Sequence, residues 1–152
     1  MHIEADNEIL DWATPNFGDS PDDVNLGLVM QSIRWSGAPH SVLMTLDGLE
    51  VGVEYSLQLL FFEQCCTRGF DVLVGGKTIV DEFSPQREQG GPGMTGAGAF
   101  ISYDFTAGAI QSLTIELHGR DSSWPDMNPI LSAVTLERVD RDSPITMVVA
   151  CS

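Results

Sequence analysis

Positive charge is scarce in this chain. Lys77 is the only lysine, and seven basic residues stand against 22 carboxylates, for a formal net charge of −15. Such a surface repels phosphate backbones and anionic lipid heads, which argues against nucleic acid as a partner. Neutral ligands, cations and basic protein surfaces remain open. Long apolar runs are missing too. None approaches the roughly 18 residues a membrane-spanning helix needs, so no membrane insertion is expected. The opening Met1-His2-Ile3-Glu4-Ala5-Asp6 lacks the basic and apolar regions of a secretory leader. The chain breaks off at Thr146 to Ser152 inside an apolar stretch. The expectation is one domain, residues 1–152 with a core over about 17–139, taken from a longer protein or left after a leader is removed.

Catalytic patterns are equally thin. His2, His40 and His118 are scattered, without zinc-binding spacing, and there is neither a nucleophile elbow nor a P-loop. Gly91-Pro92-Gly93-Met94-Thr95-Gly96 fits the dinucleotide fingerprint, with Glu116 twenty residues on. That motif needs a helix N-terminus after it to receive the pyrophosphate. The following Ala99 to Phe105 has a strand pattern instead, so the match is the coincidence of a glycine-rich loop. A non-enzyme is expected.

What is present is period-two patterning broken by turns. Tyr55 to Phe62 alternates and then becomes continuously apolar, as in a strand buried on both faces. Phe70 to Val74, Gly75-Gly76 and Lys77 to Phe83 form a hairpin with a two-residue glycine turn. Leu26 to Trp35, Ser41 to Leu46, Ala99 to Phe105, Ser112 to Leu117 and Ile130 to Val139 are further strand candidates. No segment carries helical periodicity with caps at both ends. Many short strands at this spacing predict an all-β antiparallel sandwich of the jelly-roll kind. Ser84 to Gly98, with two prolines and five glycines, reads as a long exposed loop.

Three local features are candidates for chemistry. Asp19, Asp22 and Asp23, near Asn25, supply oxygen ligands of the kind calcium takes, though not in EF-hand spacing; an acidic turn is the simpler reading. No cofactor beyond such a structural calcium is expected. Cys65 and Cys66 are adjacent, with Cα atoms about 3.8 Å apart where ordinary disulfides span roughly 4.4–6.8 Å. Three states are open: a vicinal disulfide, two free thiols, or one cysteine paired with Cys151. Trp124 lies in a polar loop and is expected to be exposed. Trp35 ends an apolar strand and is expected in the core.

The run Arg68-Gly69-Phe70-Asp71-Val72-Leu73-Val74-Gly75-Gly76-Lys77 resembles the malectin and malectin-like family, which carries a basic residue, Phe-Asp-Val and a turn glycine. Asp126-Met127-Asn128-Pro129 looks like that family's Asp-Asn-Pro motif, with Met127 intervening. The strand from Gly52 to Phe61 looks like the one leading into the first motif. The resemblance spans about residues 17–139. It implies a galactose-binding-like jelly roll that binds carbohydrate without catalysis, in a secreted or cell-surface multidomain protein. The family's site joins loop aromatics to the Asp of the Asp-Asn-Pro motif. Here the aromatic pair is replaced by Gln64-Cys65-Cys66-Thr67. The expected ligand-binding residues are therefore Gln64, Cys65, Cys66, Arg68, Trp124, Asp126 and Asn128, with an oxidised cysteine ring in place of the aromatic platform. A structural or adhesive module that pairs with proteins or with itself is the competing expectation, and a carbohydrate-active enzyme, which would need a carboxylate pair converging in one cleft, is the third.

Overall fold

A computed structural model describes residues 1–119 and 123–139 and the backbone of 148–150. Asp121 and Cys151, with any pairing of that cysteine, lie outside the described residues. The elements in chain order are β1 (His2–Glu4), β2 (Asn7–Ile9), α1 (Pro21–Met30), β3 (Ile33–Trp35), β4 (Val42–Asp47), β5 (Glu54–Phe61), β6 (Phe70–Val74), β7 (Lys77–Phe83), α2 (Pro85–Glu88), β8 (Ala99–Thr106), β9 (Ser112–His118), β10 (Ile130–Leu131), β11 (Ala133–Arg138) and β12 (Val148–Ala150).

The expected antiparallel sandwich is the observed fold. One sheet runs β1-β4-β9-β6-β7 and another β12-β11-β5-β8, while a small third sheet, β10-β3-β2, adds Ile33, Ile130 and Leu131 to the same core. Alternating side chains meet between the layers. Val42, Met44 and Leu46 of β4, Phe70 and Val72 of β6, and Ile115 and Leu117 of β9 face Leu57, Leu59 and Phe61 of β5 in one cluster. The other face of β5 is covered as well, since Phe62 packs with Ala13 and Met30 in a second cluster joined by Leu60 and Phe17. That double burial explains the continuous apolar run at the end of β5. Gly75 and Gly76 have φ of +59° and +78°, the two positive values a type I′ hairpin requires.

Three expectations are corrected. Leu26 to Trp35 is not one strand: its first part belongs to α1. Ser20 caps that helix, its hydroxyl accepting from Asp23 N while the Asp23 carboxylate returns to Ser20 N, and Pro21 takes the first turn. The helix leaves Val24, Leu26 and Leu28 exposed, so it lacks the apolar stripe by which helices are read from sequence. Ser84 to Gly98 is not a plain exposed loop. It begins with α2, and Ser84, Pro85, Gln86 and Gln89 are buried. Gln89 satisfies the Glu63 backbone in both directions, accepting from its N–H and donating to its carbonyl. Ile130 to Val139 splits at Ser132, where the chain passes from the small sheet to the four-stranded one. Buried Ser132 anchors the crossing: its N–H donates to Leu60 O and its hydroxyl accepts from Phe62 N.

Candidate functional site

The loop holding Asp126 and Asn128 docks on the segment before β6. Arg68 and Asp126 form a parallel bridge, with Gly69 N donating to Asp126 O at 3.0 Å and Asp126 N to Thr67 O at 3.3 Å. This approach depends on two glycines. A Cβ on Gly69 would lie 1.9 Å from Trp124 Cδ1, and one on Gly119 would lie 1.6 Å from Met127 O. A side chain at 119 would run into backbone, and one at 69 would have to displace the Trp124 ring.

The docking encloses a charge network. Glu63 is fully buried and Arg68 nearly so. Arg68 Nε stands against Glu63 Oε2 as a close ion pair without hydrogen-bond alignment. Its Nη2 lies 3.2 Å from Asp126 Oδ2, and its Nη1 donates to Asn128 O at 2.8 Å. The second oxygen of Glu63 accepts from two consecutive amides, Cys65 N at 2.7 Å and Cys66 N at 2.9 Å. Two carboxylates thus face one guanidinium, whose positive charge is fully compensated.

Arg68 and Asn128 also line a groove of about 140 Å³, with Ile9, Trp12, Ile33 and Trp35. The Arg68 guanidinium lies 5.5 Å from the Trp12 ring centre, within cation–π range. Asn128 Oδ1 accepts from Ala38 N at 2.8 Å, which ties the groove to the loop after β3. That loop is held from its other side by Asp6, which accepts from Gly37 N and pairs with His40 Nδ1 at 2.8 Å. The His40 hydrogen bond holds the Asp6 carboxyl below its ordinary value against some desolvation. The indole Nε1 atoms of both groove tryptophans are buried, and neither has a hydrogen-bond partner among the described residues. Buried indole N–H groups normally find acceptors.

The expected site residues divide. Arg68, Asp126 and Asn128 come together, through the ion pair and the bond from Arg68 to the Asn128 carbonyl. Cys65 and Cys66 are joined in a vicinal disulfide, but they sit across Glu63 from Arg68 and do not line the groove. Gln64 is turned to the segment before α1, its side chain accepting from Thr14 N at 2.8 Å. Trp124 is half-buried rather than exposed; it packs on Gly69, with the Arg87 guanidinium 5.4 Å from its ring centre. Trp35 touches the core as expected and lines the groove as well. Trp12 was missed, because its neighbours Asp11 and Ala13 carry no motif. Asp19, Asp22 and Asp23 do not gather: Asp23 is spent in the α1 cap, and Asp22 and Asp23 lie in its first turn, where the helix dipole favours them. Among the described residues the one group with metal-ligand spacing is Glu63, Cys65 and Cys66, whose sulfurs are bonded to each other.

The fold is that of the malectin-like β-sandwiches. No family model and no curated protein matches the sequence. Among solved structures, the ANX2 ectodomain from Arabidopsis thaliana matches with a TM-score of 0.68 and 13% identity, over 91% of this chain and 42% of that one. A structure of the plant peptide RALF23 in complex with FER and LLG2 matches with a TM-score of 0.61 and 14% identity, over 80% and 36%. A calcium binding mutant of Bacteroides uniformis beta-glucuronidase 2 matches at 0.59 and 17% identity, over 88% and 14%. The chain therefore spans less than half the length of each of these proteins.

Proposed function

We propose that the chain is a non-catalytic carbohydrate-binding module of an extracellular protein, with its ligand in the groove between Trp12 and Trp35. The observation that carries this reading is a groove lined by two indole side chains together with Arg68 and Asn128. Sugar rings present apolar C–H faces for stacking and hydroxyls for polar contacts, and the groove offers tryptophan rings for the first and the Asn128 amide for the second. The NH2 of Asn128, not used in the bond to Ala38, adds a further donor. The groove is smaller than the roughly 300–1,000 Å³ of pockets that enclose drug-sized ligands. It suits one ring, or the end of a chain, better than an engulfed oligomer. Because Glu63 and Asp126 together outweigh the Arg68 charge, the groove offers no free cation to an acidic sugar, and a neutral one is the better fit. The same commitment leaves neither carboxylate free as a catalytic acid.

A glycan array followed by tryptophan-fluorescence titration tests the reading. Trp12→Ala and Trp35→Ala should each abolish binding of neutral sugars, and Trp124→Phe should leave it intact. No response to any neutral sugar would overturn the proposal.

A protein-binding module is the second reading. It is favoured by the exposed Val24 and Leu28 beside a trough between α1 and residues 14–18, and by the complex of RALF23 with FER and LLG2 among the structural neighbours. Concentration-dependent self-association without a sugar response would support it.

A further inference from the structure

The vicinal disulfide is joined to the groove by a short relay. Cys65 N and Cys66 N both donate to Glu63 Oε1, and Glu63 Oε2 holds Arg68 Nε. Arg68 lies over the Trp12 ring and donates to Asn128 O. Every intermediate in this chain is buried and has a named partner on each side. The disulfide itself is open to solvent: Cys65 is exposed and Cys66 half-buried. The closed ring ties the two side chains together across one peptide, so it restricts the backbone that presents both amides to Glu63. No packing in the core explains why two adjacent cysteines stand at this point.

We propose that Cys65-Cys66 is a thiol-exchange site whose redox state sets the geometry of the Trp12–Trp35 groove; its value as regulation rests on the ligand-binding reading above. The reductant is a dithiol. One of its thiolates attacks Sγ of Cys65, the more exposed of the two residues; the Cys65–Cys66 bond breaks, and Cys66 leaves as a thiolate and takes up a proton. The second thiol of the reductant then displaces Cys65 and closes the reductant's own disulfide. Two electrons and two protons pass to the protein. Opening the ring releases the peptide between the cysteines, and the two-amide cradle on Glu63 loses its covalent restraint. Glu63 can then shift, and Arg68 with it, over the face of Trp12.

The test needs no sugar. Protein carrying ¹⁵N in its indoles is prepared without reductant, and its intact mass and indole N–H resonances are recorded before and after addition of dithiothreitol. The expected result is a gain of two hydrogens in mass together with displacement of the Trp12 and Trp35 resonances by more than a linewidth. The response should be absent in the Cys65→Ser/Cys66→Ser variant and weakened in Glu63→Gln. More than one free thiol per chain in the untreated protein would overturn the proposal, since the third cysteine, Cys151, can account for one. So would complete reduction that leaves both resonances in place, whatever the fate of the variants. A protein that binds no sugar but shows the indole response refutes the ligand reading alone, and one that binds sugar without the response refutes the switch alone.

Discussion

Arg68→Met tests whether the buried ion pair holds the two loops together. Glu63 has no exposed surface, and Arg68 brings the buried positive charge that faces it. Removing the guanidinium leaves a carboxylate out of water with only two amide donors, and strips the Asn128 carbonyl of its donor. Breaking a buried pair from one side costs about 3–5 kcal/mol. At roughly 2–4 °C per kcal/mol for a domain of this size, the melting temperature should fall by about 6–20 °C. Asp126 adds little to this sum, because its side chain is partly exposed and hydrates once released. The double variant Glu63→Gln/Arg68→Met removes both charges and keeps an acceptor for the two amides. It should be more stable than Arg68→Met alone, with a coupling of about 2 kcal/mol across the cycle. Urea denaturation of the wild type, both single variants and the double variant at neutral pH measures this. An Arg68→Met protein within about 1 kcal/mol of wild type, or a cycle additive to about 0.5 kcal/mol, would refute the reasoning.

Two further predictions concern the glycine contacts and one surface carboxylate. Gly119→Ala forces a Cβ into the Met127 carbonyl and should cost the upper part of the roughly 1–3 kcal/mol typical of overpacking. Gly37→Ala, with open space at its Cβ, should stay within about 0.5 kcal/mol; equal losses in denaturation would show that the close approach is not what matters. Asp81 has its pKa raised above 3.8, first by the charge of Asp71 and then by desolvation. A carboxyl with a raised folded-state pKa loses stability as pH rises from 3.8 through that value, and regains it in acid. Asp81→Asn should therefore be more stable than wild type at neutral pH, with the advantage vanishing below pH 3.8. A difference that does not change with pH in chemical denaturation would contradict the assignment.

Much of the sandwich was legible because strand burial imposes a period of two. Tyr55 to Phe62, the Gly75-Gly76 hairpin and Ser112 to Leu117 each carry that signature within a few consecutive residues. Helix α1 hid from the same logic, since a helix that exposes Val24, Leu26 and Leu28 shows no apolar stripe. Its capping box was there to be read in Ser20 and Asp23, and it pointed the right way. Gln86 and Gln89 look like loop residues, and only the neighbouring Glu63 backbone gives them a reason to be buried.

The site divides along the same line. By itself the sequence determined strands β4 to β9, the scarcity of positive charge, and the Arg68 and Asp126 to Asn128 segments that any ligand reading starts from. Only the tertiary structure decided that Arg68 is neutralised rather than available, that Trp124 packs on Gly69, and that Trp12 and Trp35 line one groove. Those outcomes depend on which loops touch. Residues 12, 35, 68 and 128 are brought together by a three-stranded sheet and by glycine-permitted docking between distant segments. No local pattern encodes such a meeting, because the free energy that enforces it comes from burial shared across the whole fold.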